Sequence, residues 1–148
     1  MLTREQIYQI IEELKKDERV QGILLTGSYV YGTPHEKSDL DVRVVTKGSA
    51  NWVETESIKF GTKLEAYFNP PEVIRNYFEI KRNTGDPCTI HGWSNGEIVY
   101  DPSGIVAELQ QEARILWKAG PVNGEWIPRE KYRNKEVITR KKRSSLGL

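Results

Sequence analysis

Apolar residues recur along this chain at two spacings, one helical and one extended. Ile7, Ile10, Ile11 and Leu14 fall at helical intervals behind Thr3 and Gln6, a capping-box pair, which predicts a helix over about residues 3–17. Residues 20–26 (VQGILLT) form an apolar run of strand length that stops at Gly27, and residues 39–46 (DLDVRVVT) read as a second, Val-rich strand. Residues 57–60 and 63–68 flank Gly61-Thr62, the pattern of a hairpin with a tight turn. Pro70-Pro71 then opens a helix with Val73, Ile74, Tyr77 and Phe78 on one face, ending near Gly85. Residues 89–93 and 97–100 read as short extended segments around a Ser94-Asn95-Gly96 turn. Asp101 is expected as an N-cap with Pro102 in the first turn of a helix bearing Ile105, Val106, Leu109, Ala113, Leu116 and Trp117, closed by Gly120-Pro121.

Hairpin strands mixed with flanking helices predict an α/β (α+β) fold, a mixed sheet between helices in a single domain. The 148 residues suffice for one core without disulfides, and a lone Cys88 excludes a multi-cysteine zinc cage and suits a reducing, cytoplasmic setting. No apolar run reaches the roughly 18 residues of a membrane span, and the N-terminus reads as a charged helix rather than a signal peptide. We therefore expect no membrane partner.

Charge changes the picture when it is read by position. The total is 22 Lys+Arg against 21 Asp+Glu, a net of +1. Residues 129–148 hold eight basic and two acidic side chains, which leaves 14 basic and 19 acidic in residues 1–128. The expectation is a domain over 1–120 with a basic extension over 121–148, peripheral and at most helical after Pro128. That extension is either a solvated end or a docking arm for a partner or nucleic acid.

The informative stretch is residues 25–45, LTGSYVYGTPHEKSDLDVRVV. A strand ends in Gly27-Ser28, a loop of about ten residues follows, and Asp39-Leu40-Asp41 opens the next strand. Residues two apart on a strand share a face, so Asp39 and Asp41 project together, about 6–7 Å apart, with Leu40, Val42 and Val44 behind. Two such carboxylates repel unless something positive sits between them, and hard oxygen donors suit Mg²⁺ bound jointly with phosphates. Gly27 permits close backbone approach, and Ser28 offers a hydroxyl at a helix start, where phosphate oxygens can be held. Alternation in KLEAYF puts Lys63, Glu65 and Tyr67 on one face, so Glu65 faces the aspartates if the two strands are neighbours. Arg43 shares the face of Asp39 and Asp41, where it either touches a triphosphate or neutralises the acids; Lys63 poses the same alternative.

The segment GSYVYGTPHEKSDLDV resembles the signature of the nucleotidyltransferase superfamily that includes polymerase beta, nearest to minimal and antibiotic nucleotidyltransferase domains. A looser likeness runs through EIVYDPSG, so that the resemblance covers about residues 5–120. It implies that Asp39 and Asp41 bind the Mg²⁺ that carries a nucleoside triphosphate, in a two-metal site completed by Glu65 as metal ligand or base. Gly27 and Ser28 would hold the phosphates. The implied reaction is transfer of a nucleoside monophosphate, AMP from ATP, to a hydroxyl of a small molecule or protein, with release of pyrophosphate.

The resemblance implies that many two-domain members carry a C-terminal helical domain that helps bind the acceptor. About 28 further residues cannot build one, so the acceptor site is expected from a second copy in a homodimer, a separate helical partner chain, or the tail itself. The alternatives are an antitoxin module of a nucleotidyltransferase–HEPN pair, or a catalytically silent nucleotide-binding domain. His35 and Lys37 read as a polar loop, and His91, Cys88 and the aromatics Tyr29, Tyr31, Trp52, Trp93 and Trp126 as structural. Neither a P-loop nor a dinucleotide-binding glycine motif occurs.

Overall fold

A computed structural model of the chain describes residues 1–128. The basic stretch 129–148 lies outside the described residues. In chain order the elements are α1 (Arg4–Leu14), β1 (Val20–Thr26), α2 (Ser28–Tyr31), β2 (Leu40–Thr46), β3 (Trp52–Lys59), β4 (Thr62–Asn69), α3 (Pro71–Thr84), α4 (Cys88–Asn95), β5 (Glu97–Tyr100) and α5 (Ile105–Ala119). The five strands form one mixed sheet in the order β3-β4-β2-β1-β5, with β2 and β4 parallel and the other pairs antiparallel.

Strand periodicity divides the apolar residues between two cores, one on each face of the sheet. On one face Ile10 and Ile11 of α1 pack on Ile23, Leu25, Leu40, Val42, Val44, Leu64, Ala66 and Phe68. The capping box is formed as expected: Thr3 Oγ1 accepts from the Gln6 N–H and the Gln6 side chain accepts from the Thr3 N–H. On the other face α3, α4 and α5 bury Ile74, Phe78, Ile90, Trp93, Val106, Leu109 and Ala113 over Leu24 and Val45.

Three details depart from the pattern reading. Residues 89–93 are helical, inside α4, because the residues that matter there are Ile90 and Trp93, three apart and both buried under the helix. The β-favouring Thr89 and Ile90 misled the assignment, and tertiary burial overrode it. The helix after Asp101 starts later, at Ile105 behind Gly104. Asp101 still caps it from a distance, its carboxylate accepting from the N–H groups of Val106 and Ala107 at 2.9 Å each. Residues 121–128 return to the helical layer: the Val122 N–H donates to the Arg82 carbonyl and the Ile127 N–H to that of Gly85. Trp126 stacks on Trp117 with ring centroids 5.0 Å apart.

Gly96 shows how closely β5 is forced against β1. A Cβ at this position would stand 2.7 Å from the Leu24 side chain and 2.8 Å from the Leu25 carbonyl oxygen. Gly92, inside α4, has only ordinary contact with Thr26 at 3.8 Å. Two chemically identical substitutions should thus act with opposite sign. Gly96→Ala should destabilise by about 1–3 kcal/mol through overpacking against backbone. Gly92→Ala should be stabilising by about 0.4–1 kcal/mol, since the helix loses a flexible residue. Urea unfolding midpoints of the two variants check both values.

Candidate active site

The acids are brought together by strand register. β1 runs antiparallel to β2 with Thr26 opposite Asp41, and β2 runs parallel to β4 with Asp41 opposite Glu65. Thr26, Asp41 and Glu65 thus form one row across three central strands. The next row inward is Leu24, Arg43 and Tyr67, and the one after it contains Gly22, Val45 and Asn69. Along β2 the shared face passes from carboxylate to guanidinium to a Val45 fully buried under the helices.

Glu65 is 4% exposed, so its carboxyl lies inside the sheet's margin. Burial pushes the Asp41 carboxyl up to about 7, and the neighbouring Glu65 adds both repulsion and a hydrogen bond in the same direction. Arg43 opposes the shift and Asp39 adds to it. Asp41 therefore keeps its proton to a higher pH than an ordinary carboxyl, with its side chain hydrogen-bonded to Glu65. Asp39 sits one residue before β2, half-buried, at the end of a loop closed by Ser38. The Ser38 hydroxyl accepts from the His35 N–H at 2.9 Å, and the Ser38 N–H donates to the His35 carbonyl. His35 Nδ1 in turn accepts from the Lys37 N–H at 3.1 Å, so this ring braces the loop that delivers Asp39.

Gly27 is required for two reasons. Its φ of 83° lies in the region that favours glycine, and a Cβ would fall 2.4 Å from Asp41 Oδ2. Ser28 follows at the first position of the short helix α2. That helix is linked to the helical layer by a run of rings. The Tyr31 hydroxyl lies 3.4 Å from His91 Nδ1, His91 meets Trp117 edge-on at 5.0 Å, and Trp117 stacks on Trp126. These rings come from four separate segments, so their alignment is not visible in the sequence pattern. That pattern likewise gives no role to Tyr67, whose ring lies 4.3 Å beneath the Arg43 guanidinium carbon. The alternation that placed Glu65 already placed Tyr67 on the same face.

The donor chemistry suits a hard divalent cation: two carboxyls side by side on adjacent strands offer an oxygen pair that such an ion would hold. Among the described residues no group of three or more His, Cys, Asp or Glu side chains is close enough to cage a metal by itself. The fit is to a cation that takes its remaining oxygens from a ligand or from water.

Residues 7–94 match the family model of the nucleotidyltransferase domain. The chain belongs to that family. Membership gives this nucleotidyltransferase domain nucleotidyl transfer as its general activity. Among solved structures it resembles a nucleotidyltransferase-like protein from Exiguobacterium sibiricum 255-15, with 14% identity and a TM-score of 0.54. The match covers 74% of this chain and 38% of that one, so the nucleotidyltransferase domain spans well under half of that neighbour; at such identity the shared feature is the fold. A second structure, described as a toxin-antitoxin with AMP-PNP, aligns at 14% identity and a TM-score of 0.48 over 80% of this chain and 89% of its own. No curated protein matches the nucleotidyltransferase domain at comparable strength. Among the described residues no helix is long and apolar enough to cross a membrane.

The raised Asp41 carboxyl has a consequence for stability. The folded chain titrates there at about 7 against an ordinary 3.8, so folding takes up a proton between those values. Stability present below 3.8 is lost as pH rises towards 7. The melting temperature of the ligand-free protein should fall from pH 5 to pH 8, and Asp41→Asn should flatten the slope and raise the pH 8 value by a few degrees. Thermal melts across that range test it, and equal slopes in both proteins would contradict the assignment.

Proposed function

We propose that this chain transfers a nucleoside monophosphate, AMP from ATP, to a hydroxyl acceptor and releases pyrophosphate, with Mg²⁺ as cofactor. The reading takes residues 1–120 as the catalytic domain and 121–148 as its extension. The observation that carries it is the Asp41–Glu65 pair, held side by side by the β2–β4 register with the Gly27 backbone against the Asp41 carboxylate. Nothing in the packing of the sheet asks for two acids there; an apolar pair would be cheaper to bury.

In this reading Asp39, Asp41 and Glu65 hold the divalent cations. Divalent metal held there would supply positive charge to stabilise an in-line displacement at the α-phosphorus. The chain's own residues do the rest. Gly27 lets the phosphates approach the backbone at the end of β1, and the Ser28 hydroxyl offers them a hydrogen bond. Arg43 supplies positive charge one row inward. Glu65, opposite Asp41 across the strand pair, would accept a proton from the acceptor hydroxyl. Thr26, buried in the same row, sets the position of Asp41 through the β1–β2 ladder.

The test begins with calorimetry, using Mg²⁺ and an ATP analogue that cannot be cleaved at the α-phosphorus. Wild type should bind it, and Asp39→Asn and Asp41→Asn should each lose binding by at least about tenfold. Glu65→Gln should keep nucleotide binding better than it keeps transfer of label from α-labelled ATP. Binding that is unchanged in Asp41→Asn would overturn the proposal.

A further inference from the structure

Arg43 is an unexpected neighbour for a cation site. It follows Asp41 by two residues on one strand face and lies in the row of Leu24 and Tyr67, next to that of Asp41 and Glu65. The Tyr67 ring holds its guanidinium from one side, with Cζ 4.3 Å from the ring centroid. Arg43 Nε is buried and has no hydrogen-bond partner, the one side-chain nitrogen or oxygen among the described residues in that condition. Such a group is costly to leave in place, and an arginine cannot shed its charge to escape the cost. A fixed positive charge is therefore kept beside the acids, packed on Tyr67 but with no hydrogen bond at Nε to hold it there.

Its effect on an incoming ion depends on the charge of that ion. A bare divalent cation at the Asp41–Glu65 pair is repelled by the guanidinium at short range in a partly dry site. The same cation wrapped by a triphosphate arrives as a net anion and is attracted. The acids by themselves also leave the ion under-coordinated. Two carboxyls converge, whereas Mg²⁺ takes about six oxygens.

We propose that Arg43, fixed over Tyr67, makes metal loading depend on nucleotide, so that the site takes up the divalent cation–nucleoside triphosphate complex and discriminates against the free cation. Arg43 is on this account a specificity-determining residue for the substrate complex. The inference rests on the reading that Asp39, Asp41 and Glu65 hold the cation. Lys63, exposed on the same face of β4, adds to the same field from outside. Solvent screens its charge more than that of the partly buried Arg43.

Mn²⁺ is the probe. Binding of the bare ion to the full-length chain can be followed by the loss of the free-ion electron paramagnetic resonance signal, and binding of its complex with the α,β-methylene analogue of ATP by equilibrium dialysis. Wild type should bind bare Mn²⁺ weakly and the Mn²⁺–analogue complex well. Arg43→Met should tighten bare Mn²⁺ by at least about tenfold and weaken the complex, the two constants moving in opposite directions. Arg43→Lys, which keeps the charge, should stay close to wild type in both. Arg43→Gln serves as the second neutral variant should the Met variant fold poorly. Bare Mn²⁺ binding equal in wild type and both neutral variants would overturn the inference and leave the proposed function standing, provided Asp41→Asn abolishes binding of the complex. If no variant nor wild type takes up Mn²⁺ even with the analogue, the metal site itself is wrong and both readings fall.

Discussion

Parallel pairing of β2 with β4 sets Asp41 directly beside Glu65, and the surroundings of the site answer to that juxtaposition. Burial first, and then the neighbouring Glu65, push the Asp41 carboxyl up to about 7. The register cannot slip to part the two acids. A shift of one residue would turn Leu40, Val42 and Val44 out of the α1 core and every acid into it. The hydrophobic pattern of β2 thereby fixes the two acids side by side.

Neighbouring features make sense as consequences. Gly27 brings the end of β1 against Asp41, where any side chain would collide, and hands the chain to Ser28 and α2. The Tyr31–His91–Trp117–Trp126 contacts tie that short helix to α4, α5 and the segment after Gly120. A four-residue helix has little stability of its own, so this outside bracing decides where Ser28 stands. Arg43 is the counterweight, one row inward, with Tyr67 keeping it in place. Close approach and counter-charge gather around the proposed site at the ends of β1, β2 and β4.

Much of this was legible in the sequence, for identifiable reasons. Strand period alone placed Asp41, Arg43, Glu65 and Tyr67 on one face, and adjacency of the two strands was the one extra fact required. Gly27-Ser28 was legible because a glycine that stops an apolar strand has few other uses. Asp39 was expected inside the strand; it lies one residue ahead of it, and its direction comes from the Ser38–His35 hydrogen bonds, side-chain chemistry that periodicity does not see. α4 was illegible because its eight residues carry only Ile90 and Trp93 as spacing signals while Thr89 and Ile90 favour strands. The aromatic run could not be read at all, because its members meet only through the tertiary fold.

In the proposed function, the raised Asp41 carboxyl beside Glu65 gives up its proton when cation and nucleotide bind together. Infrared difference spectroscopy at pH 6 addresses it directly, since a protonated carboxyl has its own stretching band. The account predicts that band in the ligand-free protein, its absence in Asp41→Asn, and its disappearance from wild type when Mg²⁺ and the ATP analogue are added together. A band that persists unchanged on that addition, or that remains in Asp41→Asn, would contradict it.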